Sequence, residues 1–214
     1  RLYGEVAGDS LDAREAHRLL TERRLVMPEV LRGGPGEEPS LPVTLKNVPA
    51  ADLVLHRIDL LLYFTLAKDT EKMRELDLAG IRPALARTVA PAAAALGMEE
   101  TVAIGLGKLE PGVYLAIARA GAEEARTVII VSDLAARVWR HSQGARVLVT
   151  DRRTGAAMEG AFVKLVVGGA LLAEGLTDAR GFFEARIDPS HDIMEGSAAP
   201  KAVAEKNGHY ALAP

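Results

Sequence analysis

The stretch that decides the fold is residues 146–167, RVLVTDRRTGAAMEGAFVKLVV. It opens with an apolar strand and turns at DRRTG. It closes with a second strand in which Val163, Leu165 and Val167 share one face opposite Lys164. Alternation with a period of two is typical of a half-buried strand, and short strands separated by Gly-bearing turns are typical of antiparallel sandwiches. The stretch therefore predicts a β-sandwich.

The same pattern continues to the end of the chain. A strand over 171–176 follows a Gly168-Gly169 turn and leads into the turn TDARG at 177–181. In the next strand, Phe183, Ala185 and Ile187 share one face, and residues 201–213 have the composition of a final strand. We expect residues 134–214 to form one antiparallel β-sandwich.

A second region of strands and turns lies upstream. Strands over 25–31 and 41–45 flank Gly33-Gly34-Pro35-Gly36 and predict a hairpin, in which Pro42 indicates an edge position or a strand start. Further strands are predicted near 53–57, 101–106, 114–120 and 126–131, with a short helix over 59–74, whereas residues 70–97 show no clear pattern. Because the last of these strands ends at Ser132-Asp133, we expect a sandwich over 25–133 with a small helical insert.

Residues 1–24 carry one helical pattern. Asp9 or Ser10 could cap it, and Leu11, Leu19 and Leu20 lie near one face. This apolar stripe is thin, so residues 1–24 are predicted to be a linker or the tail of a missing upstream region.

Composition excludes several classes of function. The 214 residues are 49% hydrophobic and 26% charged, with a net charge of −3, which does not fit a protein that binds nucleic acid. The absence of cysteine excludes thiol catalysis, disulfides and thioesters within the chain, and 4% aromatic residues argue against a stacking platform. No apolar run approaches the roughly 20 residues of a membrane helix.

Together, several of these short motifs resemble a known family. In order along the chain they are VLVTD at 147–151, Thr154-Gly155, GAFV at 160–163, EGLTD at 174–178 and GFF at 181–183. They look like a macroglobulin domain of the bacterial-type alpha-2-macroglobulins. Upstream, residues 41–47, 55–59 with Tyr63-Phe64, 109–114 and 127–134 are similar to the domain that precedes it. The resemblance therefore covers about 25–214 and implies two tandem macroglobulin domains.

The resemblance implies a large secreted or periplasmic protein that traps proteases after cleavage of an exposed bait segment. Many members also use a Cys-Gln thioester, which this chain lacks. The chain is therefore expected to be non-catalytic scaffold that contacts neighbouring domains of a longer protein, with proteases as targets of the whole. The alternative is a surface adhesin or stalk of immunoglobulin-like modules, which would bind a partner directly.

Enzymatic and metal sites have weak sequence support. His17, His56, His141, His191 and His209 could join Ser142, Asp59 or Asp192 in a Ser-His-Asp triad, but no nucleophile elbow or metal spacing is present. Asp151, Asp178, Asp188 and Asp192 could hold calcium, although aspartates that begin turns also bond to backbone. Gly105-Leu106-Gly107-Lys108 lacks the rest of a phosphate loop and is interpreted as a hairpin loop. No cofactor or metal is expected.

The residues singled out are therefore structural. Pro111 and Gly112 form a turn before Tyr114, which predicts a tyrosine corner, in which the hydroxyl bonds to upstream backbone. Asp151, Gly155, Thr177, Asp178 and Gly181 are expected to shape the turns of the second domain. For Trp139 and Phe162, contact with a neighbouring domain and a place in the core remain equally open.

Overall fold

The computed structural model describes residues 11–67, 71–78, 80–93, 95–141, 144–167, 170–186 and 199–213. Its strands form four sheets. Two sheets use strands that end by Val131, and two use strands that begin at Leu134. We call these groups the first unit and the second unit.

Among the residues that the structure describes up to Val131, the first unit contains eight strands, one α-helix and a 3-10 helix. Its strands are β1 Arg24–Val26, β2 Val30–Gly33, β3 Ser40–Lys46, β4 Ala51–Ile58, β5 Leu85–Val89, β6 Glu99–Gly105, β7 Gly112–Ala120 and β8 Glu123–Val131. They form a sheet of order β1-β3-β6 and a sheet of order β2-β8-β7-β4-β5. Helix α2, Leu60–Ala67, and the 3-10 helix Glu71–Glu75 form the helical insert, and helix α1, Leu11–Thr21, precedes the unit.

Over the described parts of residues 134–213, the second unit contains the remaining seven strands. They are β9 Leu134–His141, β10 Gly144–Asp151, β11 Phe162–Val167, β12 Ala170–Leu176, β13 Phe182–Arg186, β14 Lys201–Lys206 and β15 His209–Ala213. Their sheets have the orders β13-β10-β9 and β12-β11-β14-β15. Val163 and Leu165 are fully buried between these sheets, as the period-two pattern predicts. The expected mostly-β architecture with two sandwiches and short helices is confirmed.

The predicted hairpin over 25–31 and 41–45 is only partly correct. The expected first strand is broken at Pro28 into β1 and β2. β1 pairs antiparallel with β3, as a hairpin would, but β2 crosses to the other sheet and pairs in parallel with β8. Pro42 lies in the middle strand of its sheet, yet β1 spans only the Thr44–Lys46 end of β3, so Pro42 has an edge position locally.

Two other predictions of local structure are wrong. Residues 201–213 form a hairpin rather than one strand, because Asn207 and Gly208 both have positive φ, 53° and 79°. Residues 105–108 do not form a hairpin loop, since β6 and β7 belong to different sheets. The Gly168-Gly169 turn, Ile187, and the proposed caps Asp9 and Ser10 lie outside the described residues.

Candidate functional site

The Pro111-Gly112 turn holds Tyr114 under the chain that precedes it. Tyr114 is 4% exposed, and its hydroxyl donates a hydrogen bond of 2.8 Å to the carbonyl oxygen of Glu110. Burial raises the pKa of Tyr114, so its hydroxyl stays protonated and able to donate. The Arg57 guanidinium donates to the Pro111 carbonyl at 3.0 Å and lies 3.4 Å from the Glu110 carboxylate. The Tyr114 hydroxyl and the Arg57 guanidinium therefore both hold the backbone of this turn.

Two aspartates organise the turns at one end of the second unit. Asp151 Oδ1 accepts hydrogen bonds from the amides of Arg153 and Thr154, at 3.0 and 2.6 Å, and from the Thr154 hydroxyl at 2.8 Å. Asp178 Oδ1 accepts from the amides of Arg180 and Phe182, at 2.9 and 2.8 Å. The hydrogen bond from the Thr154 amide is the main cause that lowers the pKa of Asp151. The hydrogen bond from the Phe182 amide is the main cause that lowers the pKa of Asp178. These contacts engage both carboxylates in backbone capping.

Thr177 and Gly181 link the same turns to the strands. Thr177 is 4% exposed; its hydroxyl donates to the Met158 carbonyl at 2.5 Å and accepts from the Ala161 amide at 2.9 Å. The Gly181 carbonyl accepts the Val149 amide at 2.8 Å. Gly155 and Gly181 have φ of 74° and 77°, but only Gly181 is crowded. A Cβ on Gly181 would lie 2.5 Å from the Val149 oxygen, whereas one on Gly155 would meet nothing within 4 Å.

The joint between the units is fixed by hydrogen bonds. The Ser132 amide donates to the Gly33 carbonyl at 3.1 Å, and the Ser132 hydroxyl accepts the Leu134 amide at 2.9 Å. The Asp133 amide donates to His209 Nδ1 at 3.1 Å. The Asp133 carbonyl accepts a hydrogen bond from the Arg152 amide at 2.5 Å. Residues on both sides of the boundary thus hold the connecting chain.

An apolar cluster, which we call the seam, lies between the units. The first unit contributes α2 and the outward faces of β7 and β8, and the second unit contributes β11, β14 and β15. Its members include Leu60, Phe64, Met73, Val113, Leu115, Ile117, Val128, Ile130, Val166, Val203, Tyr210 and Leu212. Val203 is fully buried although it points away from the core of its own sandwich. The two units are therefore in apolar contact.

A clamp at Asn47 holds the C-terminal end of α1, and the sequence interpretation missed it. Asn47 Nδ2 donates to the carbonyls of Leu20 and Glu22 at 2.7 and 2.8 Å, and Oδ1 accepts the Gly97 amide at 2.8 Å. Lys46 Nζ donates to the Leu19 carbonyl at 2.7 Å, a favourable place for a cation. The available signal was Asn47 itself, because Asn adopts positive φ more readily than most residues, and its φ is 54°.

The residues considered for a triad or a metal site lie in different parts of the molecule. His56 is buried in β4, His209 lies at the joint, His141 lies 3.7 Å from Glu184, and His17 is in α1. Asp59 Oδ1 accepts the Leu62 amide at 2.9 Å at the start of α2. Within the described ranges, no three His, Asp or Glu side chains are grouped to hold a metal ion. Ser142, Asp188, His191 and Asp192 lie outside those ranges.

Trp139 and Phe162 differ in exposure. Trp139 is 43% exposed on β9. Phe162, at the start of β11, is partly buried, and the Lys164 ammonium lies 5.9 Å from the centre of its ring.

Comparison with known proteins agrees with this architecture. An alpha-2-macroglobulin from Ralstonia nicotianae is 39% identical over 96 residues, which are 44% of this chain and 6% of that protein. Over these residues the chain is similar in sequence to an alpha-2-macroglobulin. The matched residues therefore span only 6% of the length of this relative. No model of a known protein family matches the chain.

Two fragments of the Escherichia coli alpha-2-macroglobulin share the fold. The fragment spanning domains MG0-NIE-MG1 has a TM-score of 0.65 and 22% identity, over 89% of this chain and 63% of the fragment. The fragment spanning NIE-MG1 has a TM-score of 0.61 and 20% identity, over 90% of this chain and 96% of the fragment. The resemblance indicated by the sequence is thus confirmed, and the fold is that of alpha-2-macroglobulin domains.

None of the helices in the described residues has the length and apolar character needed to cross a membrane.

Proposed function

We propose that the chain is a pair of non-catalytic scaffold domains in a larger alpha-2-macroglobulin-like inhibitor that traps proteases. In this proposal, residues 25–133 and 134–214 are the two domains, and residues 1–24 lead into them. The observation that carries it is the 39% identity to the Ralstonia alpha-2-macroglobulin, together with the shared fold.

The seam and the joint support a scaffold role. A trap that rearranges after proteolysis needs some domains that keep their geometry, so that movement is confined to the others. The seam buries apolar side chains from both units, and four hydrogen bonds hold Ser132 and Asp133. A joint of this kind keeps the two units in a fixed relative orientation, whereas a Gly/Ser-rich linker would let them reorient.

The partners and location follow from the same proposal. Neighbouring domains of the longer protein would contact the outer faces of the two units, and proteases would be targets of the whole protein only. The location would be secreted or periplasmic, as for a protein that meets foreign proteases. Nucleic acid is not a partner in this proposal, since the chain has a net charge of −3.

Incubation with a protease tests the proposal. We expect the 214-residue chain, mixed with trypsin in excess, to leave hydrolysis of both a small peptide substrate and a large protein substrate unchanged. We expect the longer protein to block the large substrate while sparing the small one, because a trapped protease stays active inside a cage. Stoichiometric inhibition by the chain alone, or no inhibition by the longer protein, would contradict the proposal.

A further inference from the structure

The outer face of sheet β13-β10-β9 carries three rows of side chains that the strand register aligns. In one row, Trp139 lies opposite Arg146, which lies opposite Glu184. The neighbouring rows are Arg137, Leu148 and Phe182 on one side, and His141, Gly144 and Arg186 on the other. We call this surface the Arg-Trp face. It shares no residue with the seam, and it meets the Asp178 turn at Phe182, whose amide donates to Asp178 Oδ1.

This face exposes aromatic surface around a depression. Trp139, the single tryptophan of the chain, is 43% exposed. Trp139, His141, Arg146 and Phe182 line an open depression of about 410 Å³. Gly144 lies in the row beside Arg146 and has no side chain to fill it. Tryptophan and arginine are the residues that most often dominate the energy of protein interfaces.

The arginine at the centre of the face is already held in place. The Arg146 guanidinium lies 3.0 Å from the Glu184 carboxylate and 5.5 Å from the centre of the Phe182 ring. The Arg180 guanidinium lies 5.9 Å from the same ring. A side chain ordered before binding loses less conformational entropy when a partner arrives. The face is therefore preorganised around Arg146 and Phe182.

The charge of the face is opposite to that of the chain. Arg137, Arg146 and Arg186 are set against the single carboxylate of Glu184, whereas the whole chain has a net charge of −3. Among the described residues, Arg137 and Arg186 have no carboxylate within ion-pair distance. Two exposed cations thus flank an aromatic depression and leave it complementary to negative charge.

We propose that the Arg-Trp face docks an extended acidic segment of a protein partner. An aliphatic or aromatic side chain of that segment occupies the depression between Trp139 and Phe182, and its carboxylates pair with Arg137 and Arg186. A second copy of this chain fits less well, because a two-fold contact would set arginines against arginines. A bare polyanion would use the cations but leave the depression empty. The proposal does not depend on the protease trap.

The single tryptophan makes the proposal directly measurable. The probe is a peptide of about ten residues that alternates Glu and Phe, a length that suits an extended binding mode. When it is titrated into the 214-residue chain, the Trp139 emission should move to shorter wavelength and saturate. Added salt should weaken binding, because the carboxylate pairs are exposed. A peptide with Lys in place of Glu, and one with Ser in place of Phe, should produce no saturable shift.

Paired substitutions separate the face from general charge effects. The double change Arg137→Gln and Arg186→Gln removes the two cations that pair with the carboxylates of the segment, and it should weaken binding about ten-fold. The matched control is Arg152→Gln with Arg153→Gln, which removes the same charge from the exposed turn of the same unit and should leave affinity unchanged. Circular dichroism and the urea midpoint check that both variants fold as the wild type does.

Several outcomes would overturn the proposal. One is no saturable response to the acidic peptide, and another is an equal loss of affinity in the two double variants. Equal binding of the Ser-containing peptide, of a DNA duplex or of anionic vesicles would show a general anion site. Concentration-dependent dimerisation lost with the Arg137 and Arg186 changes would identify a second copy. Asp188, Asp192 and Glu195 can be changed together to their amides. If this change shifts the Trp139 emission in the absence of peptide, a segment of the chain itself occupies the depression.

Discussion

At the scale of single residues, the Tyr114 hydroxyl gives the simplest stability test. Tyr114→Phe removes its 2.8 Å hydrogen bond and leaves the Glu110 carbonyl without that donor. Because the Glu110 side chain is 82% exposed, water can reach this turn, so we expect a loss of about 1 kcal/mol, towards the lower end for buried hydrogen bonds. Urea unfolding of the wild type and the variant measures it.

The control for this test is Tyr210→Phe. Tyr210 packs against the seam, and burial raises its pKa too, but no hydrogen bond of its hydroxyl is seen within the described residues. We expect a change within about 0.5 kcal/mol. Equal urea midpoints for Tyr114→Phe and wild type would mean that the tyrosine corner contributes nothing to stability.

Two glycines with the same backbone conformation should respond differently to a methyl group. Gly155→Ala adds only the cost of a left-handed φ, about 1–2 kcal/mol, because its Cβ meets no atom within 4 Å. Gly181→Ala adds the same cost and a contact of 2.5 Å with the Val149 oxygen, so the turn must move and the loss should exceed about 3 kcal/mol. Thermal and urea unfolding of the two variants compare them. Equal losses would contradict the crowding at Gly181.

His56 should make the first unit sensitive to acid. Burial, with a smaller contribution from Arg119, lowers the pKa of His56 below its ordinary value of 6.5, and Nδ1 has no hydrogen-bond partner among the described residues. The folded chain therefore binds this proton less readily than the unfolded chain. The stability contributed by neutral His56 is complete above pH 6.5, and it is lost as the pH falls from 6.5 through the lower pKa of the folded chain.

Urea midpoints measured across this pH range test the sign. His56→Leu should flatten the decline, whereas His17→Gln, which changes an exposed histidine of α1, should not. A decline of the same size in His56→Leu would assign the acid sensitivity to other groups.

At the scale of elements, the Asn47 clamp should decide whether α1 stays on the first unit. Asn47→Gly keeps the positive φ accessible but removes three hydrogen bonds, so α1 should detach and exchange its amides faster. Hydrogen exchange over Leu11–Thr21 measures this. Asn47→Ala should do the same and also destabilise the first unit by about 1–2 kcal/mol, through strain at φ 54°. Unchanged exchange in both variants would show that other contacts hold the helix.

The elements that sequence predicted well are those with local signals. The strands around 146–167 have period-two alternation and turns set by Asp151 and Gly155, so neighbours in the chain are enough to define them. By contrast, the parallel pairing of β2 with β8 joins residues about a hundred positions apart and leaves no local pattern. Strand β5 was missed because it is short, lies at a sheet edge and is mostly exposed.

The candidate site shows the same limit. Pro111, Gly112 and Tyr114 act within one turn, so their spacing alone predicts the corner. The Asn207-Gly208 turn was also a readable signal and was overlooked. The joint and the α1 clamp could not be predicted from spacing, since Asp133 meets His209 and Asn47 meets Leu20 only after the chain has folded. Contacts between distant segments depend on topology rather than on local composition.

At the scale of the whole molecule, the seam should make the two units tumble as one body. The Ser132-Asp133 joint has no Gly or Pro, and both of its residues are held by hydrogen bonds, while apolar side chains meet beside it. Nitrogen-15 relaxation should therefore give one rotational correlation time for residues of both units. Separate correlation times in the wild type would contradict a rigid joint.

A charge in the seam should release this coupling without unfolding either unit. Leu212 packs into the seam, whereas its neighbours Ala211 and Ala213 face the core of the second unit, so Leu212→Glu desolvates a carboxylate only where the units meet. This costs about 1–3 kcal/mol of the contact between units. We expect two correlation times in the variant and unchanged strand content by circular dichroism.

The control is Leu171→Glu, which makes the same chemical change away from the seam. Leu171 is 43% exposed on the edge strand β12, so this variant should keep one correlation time. If Leu212→Glu also tumbles as one body, the hydrogen bonds at Ser132 and Asp133 are sufficient, and the apolar seam is not what makes the pair rigid.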